Sequence, residues 1–246
     1  MKHTERQHLK ENELAQSLAA AGGVFARSKS TVVTVASVIG VVLIGTVGYA
    51  VIRDQRAGAQ AEMLSAAMTI LEAPVQPPNP AVPPMDGKPG KMAEQQPGTY
   101  PTEEAKLLAA VPKLIAVADA YPTAEAGLLA RYRLAQAYVA LDKRAEALAA
   151  FERVIADGGT SLHARMARLG KASTQALLGQ HKEAIASYTE LIDAKDSQLP
   201  GDALLMELAS VYTAAGNESD AKKAYSRVVH EFPGSPFADQ AGKLLQ

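Results

Sequence analysis

Five histidines, at positions 3, 8, 163, 181 and 230, are the side chains best suited to metal binding or proton transfer near neutral pH. No two of them stand three or four residues apart, and no HExxH or comparable ligand cluster surrounds any of them. The chain has no cysteine, so thiolate nucleophiles, thiolate metal sites, disulfides and a lipid-bearing cysteine are all excluded. GxSxG, Walker A and GxGxxG patterns are absent, and acidic and basic residues alternate as they do on solvated helix faces. The residues capable of chemistry therefore assemble no reaction centre. The expectation is a non-enzyme without metal, cofactor or small-molecule substrate.

Lys plus Arg total 25 against 26 Asp plus Glu, which leaves no basic excess for a phosphate backbone and argues against a nucleic-acid partner. With 48% hydrophobic residues, abundant Ala and Leu, no Trp and only 5% aromatics, the composition favours helices around a sizeable core. Those helices fall into a repeat. Ala110, Ala147, Ala184 and Ala221 are each 37 residues apart, and four residues after them stand Leu114, Phe151, Tyr188 and Tyr225. Three further on are Val117, Val154, Leu191 and Val228, and the joints Tyr121-Pro122 and Phe232-Pro233 lie three periods apart. Ahead of two of these Ala positions, Leu134, Ala135 and Tyr138 match Leu208, Ala209 and Tyr212. Turn signals at Asp142, Gly179 and Gly216 recur at one phase, five residues before the Ala. The spacing predicts antiparallel helix pairs in which small residues sit at close crossings and large ones fill the layers between pairs.

This pattern over residues 102–246 resembles the tetratricopeptide repeat. The resemblance implies an all-α, right-handed helical solenoid with a half repeat, three full repeats and a capping helix from Pro236, with Ser235 as its cap. The middle repeat departs from the pattern, since Lys171 and Gln175 replace its Leu and Tyr, so Leu169, Ala172 and Leu178 are expected to carry the packing. Pro112 falls inside the half repeat's helix and predicts a kink. Family positions 2, 5, 9 and 12 of each repeat line a concave groove for partners. Carried over, these are Leu129, Tyr132, Gln136 and Val139; then Met166, Leu169, Ser173 and Ala176; then Ala203, Met206, Ser210 and Thr213. The lining lacks the Lys and Asn set with which some members clamp a C-terminal carboxylate. Two Met, a Tyr and two Leu form an adaptable apolar trough for extended or partly unfolded segments. The alternative is that residues 102–120 fill part of it.

The N-terminal part is organised differently. Residues 30–52 run 23 residues without a charge, about 34 Å as a helix against the ~30 Å hydrocarbon core of a bilayer. A polar leader of 29 residues favours an anchor over a cleaved signal. Lys2, Arg6, Lys10, Arg27 and Lys29 precede the span while Arg53 and Arg56 follow it, which predicts a cytoplasmic N-terminus. Leu9, Leu14 and Leu18 allow a short amphipathic helix in that tail, and Ala36 and Gly40 form a small-residue pair within the span. The expected organisation is a tail at 1–29, a transmembrane helix at 30–52, a juxtamembrane helix at 53–73, a Pro-rich linker at 74–101 and repeats from 102. Nine of the 28 linker residues are Pro, which predicts an extended spacer and an independent repeat domain. The half repeat lacks a first helix, and residues 56–73 are the candidate for it.

This layout resembles the bacterial inner-membrane family that includes the ancillary subunit of the Sec translocon, whose members associate with the translocon and act in periplasmic chaperoning. The resemblance implies a single-pass inner-membrane protein with a periplasmic repeat domain that binds translocon subunits, periplasmic chaperones or unfolded clients. The joints at residues 121–126 and 232–238 are also similar to those of Tol-Pal-associated and outer-membrane-assembly proteins, which implies instead a scaffold tethering an envelope complex. Both readings stand on the sequence.

Overall fold

A computed structural model describes residues 29–79, 94–194 and 199–245. In the first helix the side chains of residues 29–33, 35, 36, 47, 50–54 and 56 are outside the description. The tail with Leu9, Leu14 and Leu18, and the side chain of Ala36, therefore lie outside the described residues. Contacts divide the chain into Met1–Gly58 and Ala59–Gln246.

The first helix, α1, runs Lys29–Glu72. Among the described residues no helix is long and apolar enough to cross a membrane. The uncharged run at 30–52 includes side chains outside the description, and those within it, such as Val38, Val41 and Ile44, are more than half exposed.

The second unit is a succession of helices that each pack on their sequence neighbours: the end of α1, then α2 (Glu103–Ala120), α3 (Glu125–Ala140), α4 (Arg144–Gly158), α5 (Leu162–Leu177), α6 (His181–Asp193), α7 (Gly201–Ala214), α8 (Glu218–Glu231) and α9 (Ala238–Leu244). The repeated residues form its core. Ala110, Ala147, Ala184 and Ala221 are buried, and so are Leu114, Phe151, Tyr188 and Tyr225 and the four aliphatic residues that follow them. Local signals set the ends. Thr102 accepts a hydrogen bond from the Ala105 amide at 3.1 Å, with Glu103 and Glu104 in the first turn, and Ser161 and Asn217 cap α5 and α8 in the same way. Asp142, Gly179 and Gly216, the three phase-matched turn residues, all take positive φ, between 56° and 75°. Such a conformation costs Asp more than Gly.

Three features add to or differ from the sequence expectation. Packing against the repeat helices begins ahead of residue 102. Ala67 is fully buried, and Met63, Leu64, Ile70 and Leu71 pack with it against Ala110, Leu114, Val117 and Ala118 of α2 and against Ala130 and Leu134 of α3. Residues 59–72 thus supply the first helix of a complete first pair, in line with the candidate at 56–73. Secondly, the ends of the Pro-rich segment are pinned together. The Gln76 amide donates to the Tyr100 carbonyl at 2.9 Å, Tyr100 to Pro74 at 3.1 Å and Asn79 to Glu94 at 3.0 Å. An insertion whose ends meet leaves the helix pair intact, because loop closure costs only about 0.6 kcal/mol per doubling of length. Residues 80–93 lie outside the described residues.

Thirdly, Ser235 does not cap the last helix. Phe237 occupies that position, while the Ser235 hydroxyl donates to Asp202 Oδ2 at 2.6 Å and accepts from the Phe237 amide at 3.0 Å, tying the closing turn to the start of α7. That hydrogen bond, first among the causes, holds the Asp202 carboxyl below its usual range. Helix α2 is assigned as one helix through Pro112, the position of the expected kink. The proline removes the bond to the carbonyl of Leu108, a residue about half exposed, where water can replace it.

In the middle repeat Ala172 is buried and Leu169 packs beside it, as expected, but Gln175 is buried as well. Its Oε1 accepts from the Ser187 hydroxyl at 2.8 Å, which satisfies the polar group that replaced Tyr.

Candidate functional site

The first helices of successive pairs, α3, α5 and α7, carry the residues expected to line the groove. Tyr132, Gln136 and Val139 of α3 and Met166, Leu169 and Ser173 of α5 border a cavity of about 400 Å³, with Phe151 and Leu199 completing its walls. A second cavity of about 260 Å³ adjoins it, sharing Leu169, Ser173 and Leu199, and is bounded by Tyr188, Ala203, Leu204 and Glu207. A third, of about 320 Å³, continues from Gln136 to Met68, Leu71 and Glu72 of α1 and to Leu107 and Arg133. The first and third cavities share Gln136, and the first and second share Leu169, Ser173 and Leu199, so the three neighbour one another along α1, α3, α5 and α7, and together they are called the trough below.

The expected residues are not equivalent in it. Met166 is 36% exposed and Ser173 is open, so both are accessible from solvent. Tyr132 is only 8% exposed and is principally core, tilted against Phe151 with ring centroids 5.9 Å apart. Its hydroxyl accepts from Gln136 Nε2 at 3.2 Å, and Arg133 in turn donates to Gln136 Oε1 at 3.0 Å. Burial pushes the Tyr132 hydroxyl above its ordinary value, against the pull of the Arg133 charge. Leu129, half-buried, borders none of these cavities, and Ala176 packs instead beside Ala172 in the core. Met206 packs against the Leu205, Ala209 and Ala221 cluster, so the two Met residues do not form a matched pair on the groove. Ser210 is exposed outside the cavities, and Thr213 borders a separate space of about 280 Å³ beside Tyr225 and Leu244, its hydroxyl donating to the Ala209 carbonyl at 3.0 Å.

Three contributions escaped the sequence reading. Met68, Leu71 and Glu72 enter the trough because residues 59–72 are a true first helix; their signal was Ala67 followed three residues later by Ile70, which matches Ala135 and Tyr138. Leu199, in the connection before α7, stands between two cavities, so the chain does enter its own trough there; α2 reaches only the third cavity, through Leu107. Arg131 is buried in the interior of α3, where its guanidinium donates to Asp157 Oδ2 at 2.7 Å and to the Ala118 carbonyl at 2.7 Å. It ties α2, α3 and α4 together. Arg153 also reaches Asp157 at 3.2 Å and Asp119 reaches Arg131 at 3.4 Å, so the buried guanidinium belongs to a small ion-pair network whose role is structural.

Tyr188 forms part of the second cavity's floor. Burial first, and then the Glu207 carboxylate, push its hydroxyl up to about 12, while the hydrogen bond with Ser173 pulls the other way. In the unfolded chain a tyrosine ionises near pH ~10, so the native state holds this proton more tightly. Stability is then intact below about pH 10 and declines as pH rises toward about 12. Thermal midpoints measured across that range should fall less steeply in Tyr188→Phe than in the parent chain; equal slopes would show that Tyr188 does not govern the alkaline limb.

Among the described residues no group of His, Asp and Glu is arranged to hold a metal ion.

The tetratricopeptide repeat family matches residues 129–157 and 202–235. These two segments carry the Leu-Ala-x-x-Tyr pattern; the divergent middle pair is not matched. No curated protein matches the sequence significantly. Among solved structures, the nearly identical TPR-like repeats of a kinesin light chain from Podosopora anserina, and a variant of the same repeats, each superpose with a TM-score of 0.50 at 21% identity, covering 57% of this chain and 76% of theirs. A tetratricopeptide repeat protein from Parabacteroides merdae ATCC 43184 gives 0.48 at 17% identity, covering 58% of this chain and 54% of its own. The chain thus has an all-α, tetratricopeptide-like solenoid fold, and its repeats indicate a protein–protein interaction module.

Proposed function

We propose that the trough binds an extended, largely apolar polypeptide segment, and that residues 30–52 hold the chain in a membrane so that binding takes place at its surface. The observation that carries the binding reading is the joined pair of cavities under Met166 and Ser173. Their walls are apolar or neutral apart from one carboxylate, and Met166 is accessible. Such a surface gains affinity by burying apolar area, and a Met side chain adapts to varied sequences. The anchoring reading rests on 23 uncharged residues and on the exposed Val, Ile and Leu of α1. The bias of Lys and Arg toward the N-terminal side supports a cytoplasmic tail and an exported repeat domain, and with them translocon subunits or unfolded exported chains as partners.

A photo-crosslinking side chain at Ser173 in native membranes, with and without Met166→Glu, tests this. The expected result is a spread of crosslinked polypeptides that Met166→Glu reduces about tenfold, because an unpaired charge buried under an apolar segment costs a few kcal/mol. The thermal midpoint should hardly move, since an exposed substitution costs about half a kcal/mol. A single stoichiometric crosslink would favour a scaffold with one folded partner. Crosslinks unaffected by Met166→Glu would overturn the trough as the binding site.

A further inference from the structure

Among the residues that form the two adjoining cavities, Glu207 is the one charged side chain; the others are apolar, aromatic, amide or hydroxyl. It is exposed, on the open side of α7, and among the described residues it has no ion-pair partner. Its field nonetheless reaches the cavity floor, since it helps to raise the Tyr188 hydroxyl. The third cavity is bordered by one charge of each sign, Glu72 and Arg133, and Arg133 donates to Gln136. Lys171 of α5 is paired with Glu152 at 3.3 Å. Among the described residues, the two adjoining cavities are neutral apart from one carboxylate at their edge, and such a surface is electrostatically complementary to one class of segment.

We infer that the occupant is an extended polypeptide segment carrying a Lys or Arg beside its bulky apolar residues, the cation at Glu207 and an apolar side chain in the larger cavity over Met166. This rests on the proposed binding function and adds the charge of the partner. A cation placed there is attracted by the carboxylate, and an acidic residue in the same place is repelled. A contact of this exposure discriminates by a factor of a few rather than by orders of magnitude, and it weakens with salt.

The test uses the full chain in detergent and three fluorescent peptides that share one apolar, aromatic-containing sequence and differ in a single flanking Arg, Gln or Glu. Affinity should decrease in the order Arg, Gln, Glu, with about fivefold between the extremes at low salt and less at high salt. Glu207→Lys should reverse the order, and Glu207→Gln should level it. Thermal midpoints of both variants should match the parent, because the residue is exposed. If all three peptides bind equally, or if Glu207→Lys leaves the order unchanged while Met166→Glu still weakens binding about tenfold, the charge inference is overturned and the trough stands. If no peptide binds, the binding function and this inference fall together.

Discussion

A chain that begins at Thr102 is expected to lose the fold of its first helices and to melt roughly ten degrees or more below the full protein, whereas one that begins at Ala59 should keep the parent's midpoint. The difference lies in residues 59–72. Ala67 is fully buried against α2, with Met63, Leu64, Ile70 and Leu71 around it. Without that layer one side of Ala110, Leu114, Val117 and Ala118 is returned to water, and a fully buried aliphatic side chain is worth about 1.5–3 kcal/mol. A loss of several kcal/mol is comparable with the whole stability of a typical domain, about 5–15 kcal/mol. In a solenoid each pair contacts only its neighbours, so the damage starts at α2 and reaches α3 through Ala130 and Leu134. Circular dichroism and calorimetry on the two truncated chains distinguish the outcomes. Equal midpoints would mean that residues 59–72 are an appendage and that the repeat unit starts at Thr102, as the Pro-rich segment alone predicts.

The repeat was legible because its signal is steric. A 37-residue period of Ala, then a large side chain, then an aliphatic one can be met only by helices that cross closely at the Ala, and Ala147, Ala184, Phe151 and Tyr188 are buried accordingly. The first pair was harder to read, since the insertion places Ala67 68 residues before Ala135 in place of the usual 37. Periodicity does not survive an insertion, but packing does, because the ends of the inserted segment meet through Gln76, Tyr100, Asn79 and Glu94. The groove was legible in part. Repeat position brings Tyr132, Gln136, Val139, Met166, Leu169 and Ser173 to one cavity, with the Tyr132 ring also filling core space beside Phe151. It does not bring Met206 there, which packs against the Leu205, Ala209 and Ala221 cluster. Leu199 has no sequence signal, since it reaches the trough from a connection rather than from a helix phase. Arg131 reads from sequence as one more solvated charge on α3; only the arrival of Asp157 and the Ala118 carbonyl at its guanidinium explains its burial.

Gly127→Ala is expected to be the most damaging small substitution in the repeat unit. Gly127 is in the first turn of α3 and buried, and a Cβ on it would lie 1.8 Å from the Tyr121 carbonyl oxygen and 2.6 Å from the carbonyl carbon. Both atoms are backbone, so no rotamer change relieves the overlap. The joint is also fixed by the Ala124 amide, which donates to the same Tyr121 carbonyl at 3.2 Å, and by the Leu128 amide, which donates to Ala124 at 2.9 Å. Room for a methyl group therefore requires α3 to move away from the end of α2, which opens the Leu114, Val117 and Ala130 layer and stretches the Arg131 bond to the Ala118 carbonyl. Ala is favoured over Gly within a helix by about 1 kcal/mol, which works against the expectation, but overpacking costs about 1–3 kcal/mol and more where, as here, only backbone can give way. The steric cost prevails, with a net loss of about 2–4 kcal/mol and a midpoint lower by roughly ten degrees. At the same phase of the next pair, Ala164 is accommodated because the joint before it turns through Gly159 at a φ of 54°, a conformation no residue of the 121–124 joint adopts. Gly170→Ala is the matched control: its Cβ would meet the buried Phe151 ring at 2.5 Å, side-chain atoms and not backbone, so its loss should be smaller though not negligible. A Gly127→Ala protein as stable as the parent, or one more stable than Gly170→Ala, would show that the joint between α2 and α3 is looser than this close approach requires.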